Sequence, residues 1–150
     1  MTSPTLPTLA LGIGCDRGTS IETLTLAVTQ ALERAQAGLG DVAAVASITR
    51  KADEPGLLAL AAQHGWPLTF YRPDELAAVT VPNPSETVRR HTGTPSVSEA
   101  AALLRAGAAA LLVEKHKLLG ADGKNATVSI ARFSRYVAGI LPVPLFDSTS

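Results

Sequence analysis

The chain has 150 residues, one domain's worth and long enough to bury a real core. Thirteen basic residues balance thirteen acidic ones, and that neutrality argues against nucleic acid as a partner. The single cysteine, Cys15, cannot form an internal disulfide, the three histidines match no metal-ligand spacing, and no apolar run is long enough to span a membrane.

Hydrophobic residues make up 46% of the chain and aromatics only 4%, so the expected core is aliphatic. Residues 1–7 hold two prolines and little to bury, and are expected to be a loose end. With no basic stretch ahead of the first apolar run, a secretory leader is not expected, and the reading is of a reduced, cytoplasmic protein. Leu9–Cys15 is a short apolar run that reads as a buried strand. Residues 19–39 follow with helical periodicity at Ile21, Leu24, Val28, Ala31, Leu32 and Ala35. Thr19 and Glu22 have capping-box spacing at its start, and Gly38 and Gly40 mark its stop.

Val42–Ile48 is a second buried strand. Asp53 is read as the cap of the next helix, with Pro55 in the first turn and Gly65 at the end. Residues 66–71 form the third strand, and Pro73-Asp74 opens a short helix. Asn83 and Glu86 make a second capping box with Pro84 at the first helical position, and Ser96 with Glu99 makes a third. Residues 109–113 are the fourth strand; an Asp122-Gly123 turn then leads into alternating residues 127–133, a hairpin strand. The apolar half of the segment from residue 136 is expected to pack on the body, with residues 147–150 a second loose end.

Strands separated by helices specify an α/β domain spanning residues 1–150, with three α/β/α layers and a mostly parallel, mixed sheet of about five strands closed by a C-terminal antiparallel hairpin strand. In such a sheet, ligands bind beyond the carboxyl ends of the parallel strands. That rule selects residues 12–19 (GIGCDRGT), residues 49–54 (TRKADE) and a Lys115-His116-Lys117 corner after the fourth strand, with residues 89–96 joining them. The substrate-binding candidates are Gly12, Gly14, Cys15, Arg17, Gly18, Thr19, Arg50, Lys51, Asp53, Thr92, Ser96, Ser98 and Lys115. Cations gathered at helix N-termini suit an acid with several carboxylates or phosphates. The loop spacing G-x-G-x-x-x-G is not the dinucleotide fingerprint, and Arg50 stands where an acidic residue would meet a ribose.

Catalysis has thinner support. Cys15 closes a buried strand with no histidine beside it in sequence, and Glu99 is either a general acid or base or the closing residue of the Ser96 capping box. No metal site and no cofactor are expected.

Taken together, "GIGCDRGTS", "ITRKADEPGLLALA", "TGTPSVSEAAAL", "EKHK" and "ATVSIAR" resemble the CobE and CbiG C-terminal domain family of cobalamin (vitamin B12) biosynthesis, most closely its stand-alone CobE-type members. The resemblance runs from about Leu9 to Arg132. It implies a protein that binds a polycarboxylate corrin-ring intermediate of the precorrin or hydrogenobyrinate type, as a carrier or accessory of the aerobic pathway alongside other cobalamin-pathway enzymes. The alternative it implies is a lactone hydrolase like the CbiG-type proteins, which open the ring-A δ-lactone of a cobalt-precorrin with release of acetaldehyde. Glu99, or a water held by residues 92–98, would then attack the lactone.

Overall fold

Five runs of β-forming residues pair into one sheet of order β3-β2-β1-β5-β4: β1 (Leu9–Cys15), β2 (Val42–Ile48), β3 (Leu68–Tyr71), β4 (Val113–Leu119) and β5 (Asn125–Arg132). The computed structural model from which this is read describes residues 6–133. The expected loose ends, apart from residues 6 and 7, and the apolar segment from residue 136 lie outside them. β1 pairs in parallel with β2, and β2 with β3, while β5 runs antiparallel to both β1 and β4. The sheet is mixed, as the order of elements predicts, with β1, β2 and β3 forming its parallel half and the β4–β5 hairpin its antiparallel half.

Alternation along β1 divides the core. Leu9, Leu11 and Ile13 face α1 (Ile21–Arg34) and α2 (Pro55–His64), where they meet Leu24, Val28, Leu57 and Leu60. Ala10 lies on the other face, which is covered by α3 (Pro73–Ala77) and α5 (Val97–Ala106). Small residues there let α5 settle close to the strands. A Cβ at Gly12 would overlap the Ser98 carbonyl oxygen and the Ala102 amide, so only glycine fits beneath that helix. A short helix α4 (Glu86–Thr92) precedes the α5 cap.

Several boundaries differ from the sequence reading. Ser20, not Thr19, caps α1, its hydroxyl accepting the Thr23 amide at 3.1 Å. Thr19 is buried and its hydroxyl donates to the Asp16 carbonyl at 2.7 Å. The helix ends at Arg34, with Ala35 as its C-cap, ahead of Gly38, and the turn passes through Gln36 at φ 55°. Glu54, not Asp53, is the N-cap residue of α2, and Ser85, not Asn83, caps α4. β3 begins at Leu68 because Pro67 has no N–H for the ladder and Trp66 turns inward to stack on His64, centroids 4.4 Å apart. β4 lies later than residues 109–113: the polar stretch Glu114 to Lys117 is itself strand, as suits an edge with one face in water. Lys115, His116 and Lys117 therefore sit within a strand, not at a corner.

Asp122, in the β4–β5 turn, ties the hairpin to the start of α1. It accepts the Ser20 amide (2.9 Å), the Thr23 hydroxyl (2.9 Å) and the Lys124 amide (3.0 Å). These donors, the Ser20 amide foremost, lower its pKa to about 2. A carboxyl whose folded pKa lies below its unfolded one contributes stability that is complete above the unfolded value and lost as pH falls through the folded value. Wild type should thus lose stability between pH 4 and pH 2 more steeply than Asp122→Asn, as read by urea unfolding. Parallel losses would show that these bonds do not act on folding.

Candidate functional site at the carboxyl edge of the sheet

The loops leaving β1 and β2 are held together by one cation and two carboxylates. Arg17 Nη1 donates to Asp53 Oδ1 at 2.8 Å, and Arg17 Nη2 donates to the Arg50 carbonyl at 2.8 Å. Arg17 Nη1 also lies 3.2 Å from Glu54 Oε1. Glu54 is fully buried and its other oxygen accepts the Gly18 amide at 2.9 Å. Gly18 presents that amide from a positive φ of 82°, a conformation costly for any side-chain-bearing residue. Asp53 is exposed, and the hydrogen bond and charge of Arg17 hold its carboxyl below the usual range.

Arg50 extends the cluster by donating to the His91 carbonyl at the end of α4. From there the chain enters residues 92–96, where the Thr92 hydroxyl bonds to the Val88 carbonyl at 2.7 Å and Ser96 caps α5 by accepting the Glu99 amide at 3.4 Å. Val97 rests on β1, its Cβ 3.6 Å from where a Gly14 side chain would begin. The carboxyl ends of β1 and β2, the start of α2 and the start of α5 thus share one edge. Gly14, Arg17, Gly18, Arg50, Asp53 and Ser96 all lie on it. Lys51 is close enough to act electrostatically on Cys15 and Asp53.

Other predicted residues are placed differently. Gly12 is filled by α5, and Ser98 is buried against Ser129, their hydroxyls 2.9 Å apart. Thr19 is buried beneath the loop. Cys15 is half-buried; burial is the main influence pushing its thiol pKa up, reinforced by Glu54 and Asp16 and opposed by Lys51 and Thr19. That is the opposite of activation as a nucleophile.

Glu99 and Lys115 form a second cluster with Asn83. The Glu99 carboxylate does not return to Ser96. It accepts the Asn83 amide (3.1 Å), the Asn83 side-chain amide (2.7 Å) and the Lys115 amide (3.2 Å). Lys115 Nζ donates to the Asn83 carbonyl at 2.8 Å, and burial lowers its pKa against the raising influence of Glu99. No hydrogen bond among the described residues joins this cluster to Arg17.

Two side chains that the sequence reading passed over complete the edge. Thr94 Oγ1 is buried and has no hydrogen-bond partner among the described residues, and buried Glu54 Oε1 has only the Arg17 guanidinium, 3.2 Å away. Each belongs to a loop at the carboxyl edge. Buried polar atoms are nearly always satisfied, but His64 Nε2 and Arg105 Nε also lack partners among the described residues, so such atoms do not by themselves single out this edge. A concavity of about 430 Å³ lies instead at the opposite edge, among Leu39, Val42, His64, Trp66, Pro67 and Phe133. It contains none of the predicted ligand-binding residues.

Comparison with known proteins identifies the family and the fold. Residues 9–131 match the family model described as Cobalamin synthesis G C-terminus. The chain is 39% identical over 123 residues to the cobalt-precorrin-5A hydrolase of Priestia megaterium, covering 82% of this chain but only 32% of that protein, so it spans about a third of that relative's length. It is 38% identical over 125 residues to Protein CobE of Sinorhizobium sp, covering 82% of this chain and 79% of that one. Among solved structures, the fold matches CobE, a protein from the cobalamin (vitamin B12) biosynthetic pathway, with TM-score 0.74 and 35% identity, covering 88% of this chain and 94% of that one. It also matches the cobalamin biosynthesis protein chiG of Agrobacterium tumefaciens with TM-score 0.61 and 33% identity, covering 84% and 98% of the two chains.

Proposed function

The chain belongs to the Cobalamin synthesis G C-terminus family, and from that premise we propose that it binds a polycarboxylate corrin-ring intermediate at the carboxyl edge of its sheet, as a carrier or accessory in cobalamin biosynthesis. The observation that carries this reading is the Arg17 cluster: a half-exposed guanidinium on the edge shared by the starts of α2 and α5, with Arg50 and Lys51 close by. Precorrin-type intermediates carry many carboxylates, and an arginine fork engages a carboxylate with directional, charge-assisted bonds. The other cobalamin-pathway enzymes are the partners this role calls for.

A second reading has one specific support, the 39% identity to a cobalt-precorrin-5A hydrolase. In that reading the domain shares in opening a corrin-ring lactone, and Glu99 or a water held by residues 92–98 performs the attack. Its rival is favoured by the geometry of Glu99, whose oxygens already serve three N–H donors, and by the raised thiol of Cys15. Acetaldehyde release from a lactone-bearing precorrin, proportional to added protein, would favour the hydrolase.

Binding is tested by titrating the protein with hydrogenobyrinic acid and following the corrinoid's visible absorbance. Loss of the charge-assisted bonds in Arg17→Ala should cost roughly 1.5–3 kcal/mol, or about ten- to a hundredfold in affinity. Wild-type affinity should also fall with added salt. Equal affinity in the two proteins, with the variant shown to be folded by circular dichroism, would remove Arg17 from the site.

A further inference from the structure

Arg17 has two carboxylate partners in opposite surroundings. The Glu54 side chain is 0% exposed, whereas Asp53 is 82% exposed. Glu54 is fixed from below by the Gly18 amide and by its position at the start of α2. Asp53 precedes that helix, and its side chain makes one contact of consequence, the 2.8 Å bond to Arg17 Nη1. Releasing Glu54 would strand a buried carboxylate without its counter-ion, a costly event. Releasing Asp53 sends a carboxylate back to water, and exposed ion pairs are held only weakly. The two partners are therefore not equivalent: one anchors the guanidinium and the other can leave it.

The charge balance points the same way. With Asp53 and Glu54 both in place, two negative charges already surround one guanidinium, and a third carboxylate would meet both. An incoming carboxylate in place of Asp53 restores the present balance and inherits a donor already oriented by Glu54 and by the Arg50 carbonyl. We propose that Arg17 is a carboxylate-exchange residue: anchored by buried Glu54, it gives up the exposed Asp53 carboxylate to take a carboxylate of the ligand. Asp53 is then an internal stand-in for the ligand, keeping Arg17 oriented when the site is empty and lowering apparent affinity when it is filled. This rests on the polycarboxylate-binding function proposed above and adds a sign that function alone does not predict: removing a site residue should tighten binding.

The experiment is a double-mutant cycle read by absorbance titration with hydrogenobyrinic acid. Asp53→Asn should bind roughly two- to sixfold more tightly than wild type, the factor by which a weakly held competitor depresses apparent affinity. In an Arg17→Ala background, or Arg17→Gln should the alanine variant unfold, Asp53→Asn should change little, because the competitor's charged target is gone. Weaker binding by Asp53→Asn overturns the exchange and makes Asp53 an orienting partner of Arg17. Equal tightening in both backgrounds overturns it too, assigning the gain to general charge. Failure of wild type itself to bind overturns the proposed function and the exchange with it, whereas the first two outcomes leave binding at this edge intact.

Discussion

Replacing Glu99 by alanine is expected to cost about 2–4 kcal/mol of folding stability, because three N–H donors around a fully buried carboxylate lose their acceptor at once. The donors come from residues 83 and 115, so the loss loosens the joint between the α4 approach, the α5 start and β4. Glu99→Gln discriminates between two accounts of this residue. A glutamine closes a capping box as well as a glutamate does, so a pure cap predicts near-neutral stability. In the observed arrangement both oxygens accept, and an amide must turn its NH₂ toward Asn83 or Lys115 donors. A loss of about 1–2 kcal/mol is expected in urea unfolding. If Glu99→Gln matches wild type in stability, the three-donor arrangement does not hold Glu99 in the way described.

The second large effect is expected at Gly12. An added methyl would overlap backbone atoms of α5, which yield only if the helix lifts from the sheet. Overpacking of this kind commonly costs 1–3 kcal/mol, and a clash with backbone should cost about 3 kcal/mol or more. Gly14→Ala is the control on the same strand and face. Its Cβ would meet Val97 at 3.6 Å, an ordinary contact, so a change within about 1 kcal/mol is expected. Similar losses in the two variants would contradict the close seating of α5 on β1. The contrast also separates two meanings of the glycine-rich loop: Gly12 admits a helix, and Gly18 supplies a turn whose amide is taken by Glu54.

Much of this fold is legible in the chain because its signals are local. Apolar runs mark β1 and β2, and the Ser96 cap and the Gly65 stop lie where the spacing puts them. Misplaced features are those decided by distant partners. Thr19 and Ser20 are equally good caps in isolation; burial of Thr19 against Asp16 leaves the role to Ser20. Asp53 and Glu54 compete in the same way, and here a usable signal was present: proline favours the first helical position, so Pro55 assigns the cap to residue 54. Glu99 has the capping-box spacing, yet its carboxylate is drawn 16 residues away in both directions, to Asn83 and Lys115. β4 lies later than its apolar run suggests because the exposed polar positions of an edge strand carry no hydrophobic signal.

At the site, the segments 12–19, 49–54 and 89–96 are legible at the edge from the order of strands and helices, whereas the Lys115–Lys117 corner read with them lies within β4. The inward-pointing carboxylate of Glu54 and the unpartnered hydroxyl of Thr94 are not legible, since nothing in their neighbours' types fixes which way they face. Lys115 and Glu99 do come together, but through Asn83 and apart from Arg17.

The central claim is that the carboxyl edge, and not the apolar concavity at the opposite edge, receives a corrinoid. Amide chemical-shift mapping of the isotopically labelled protein titrated with hydrogenobyrinic acid tests it most directly. The account predicts perturbations concentrated at Gly14, Arg17, Gly18, Lys51 and Thr94, with Gly40, Gly65 and Trp66 left unmoved. Perturbations centred on Gly40, Gly65 and Trp66 would contradict it and place the ligand in the opposite crevice.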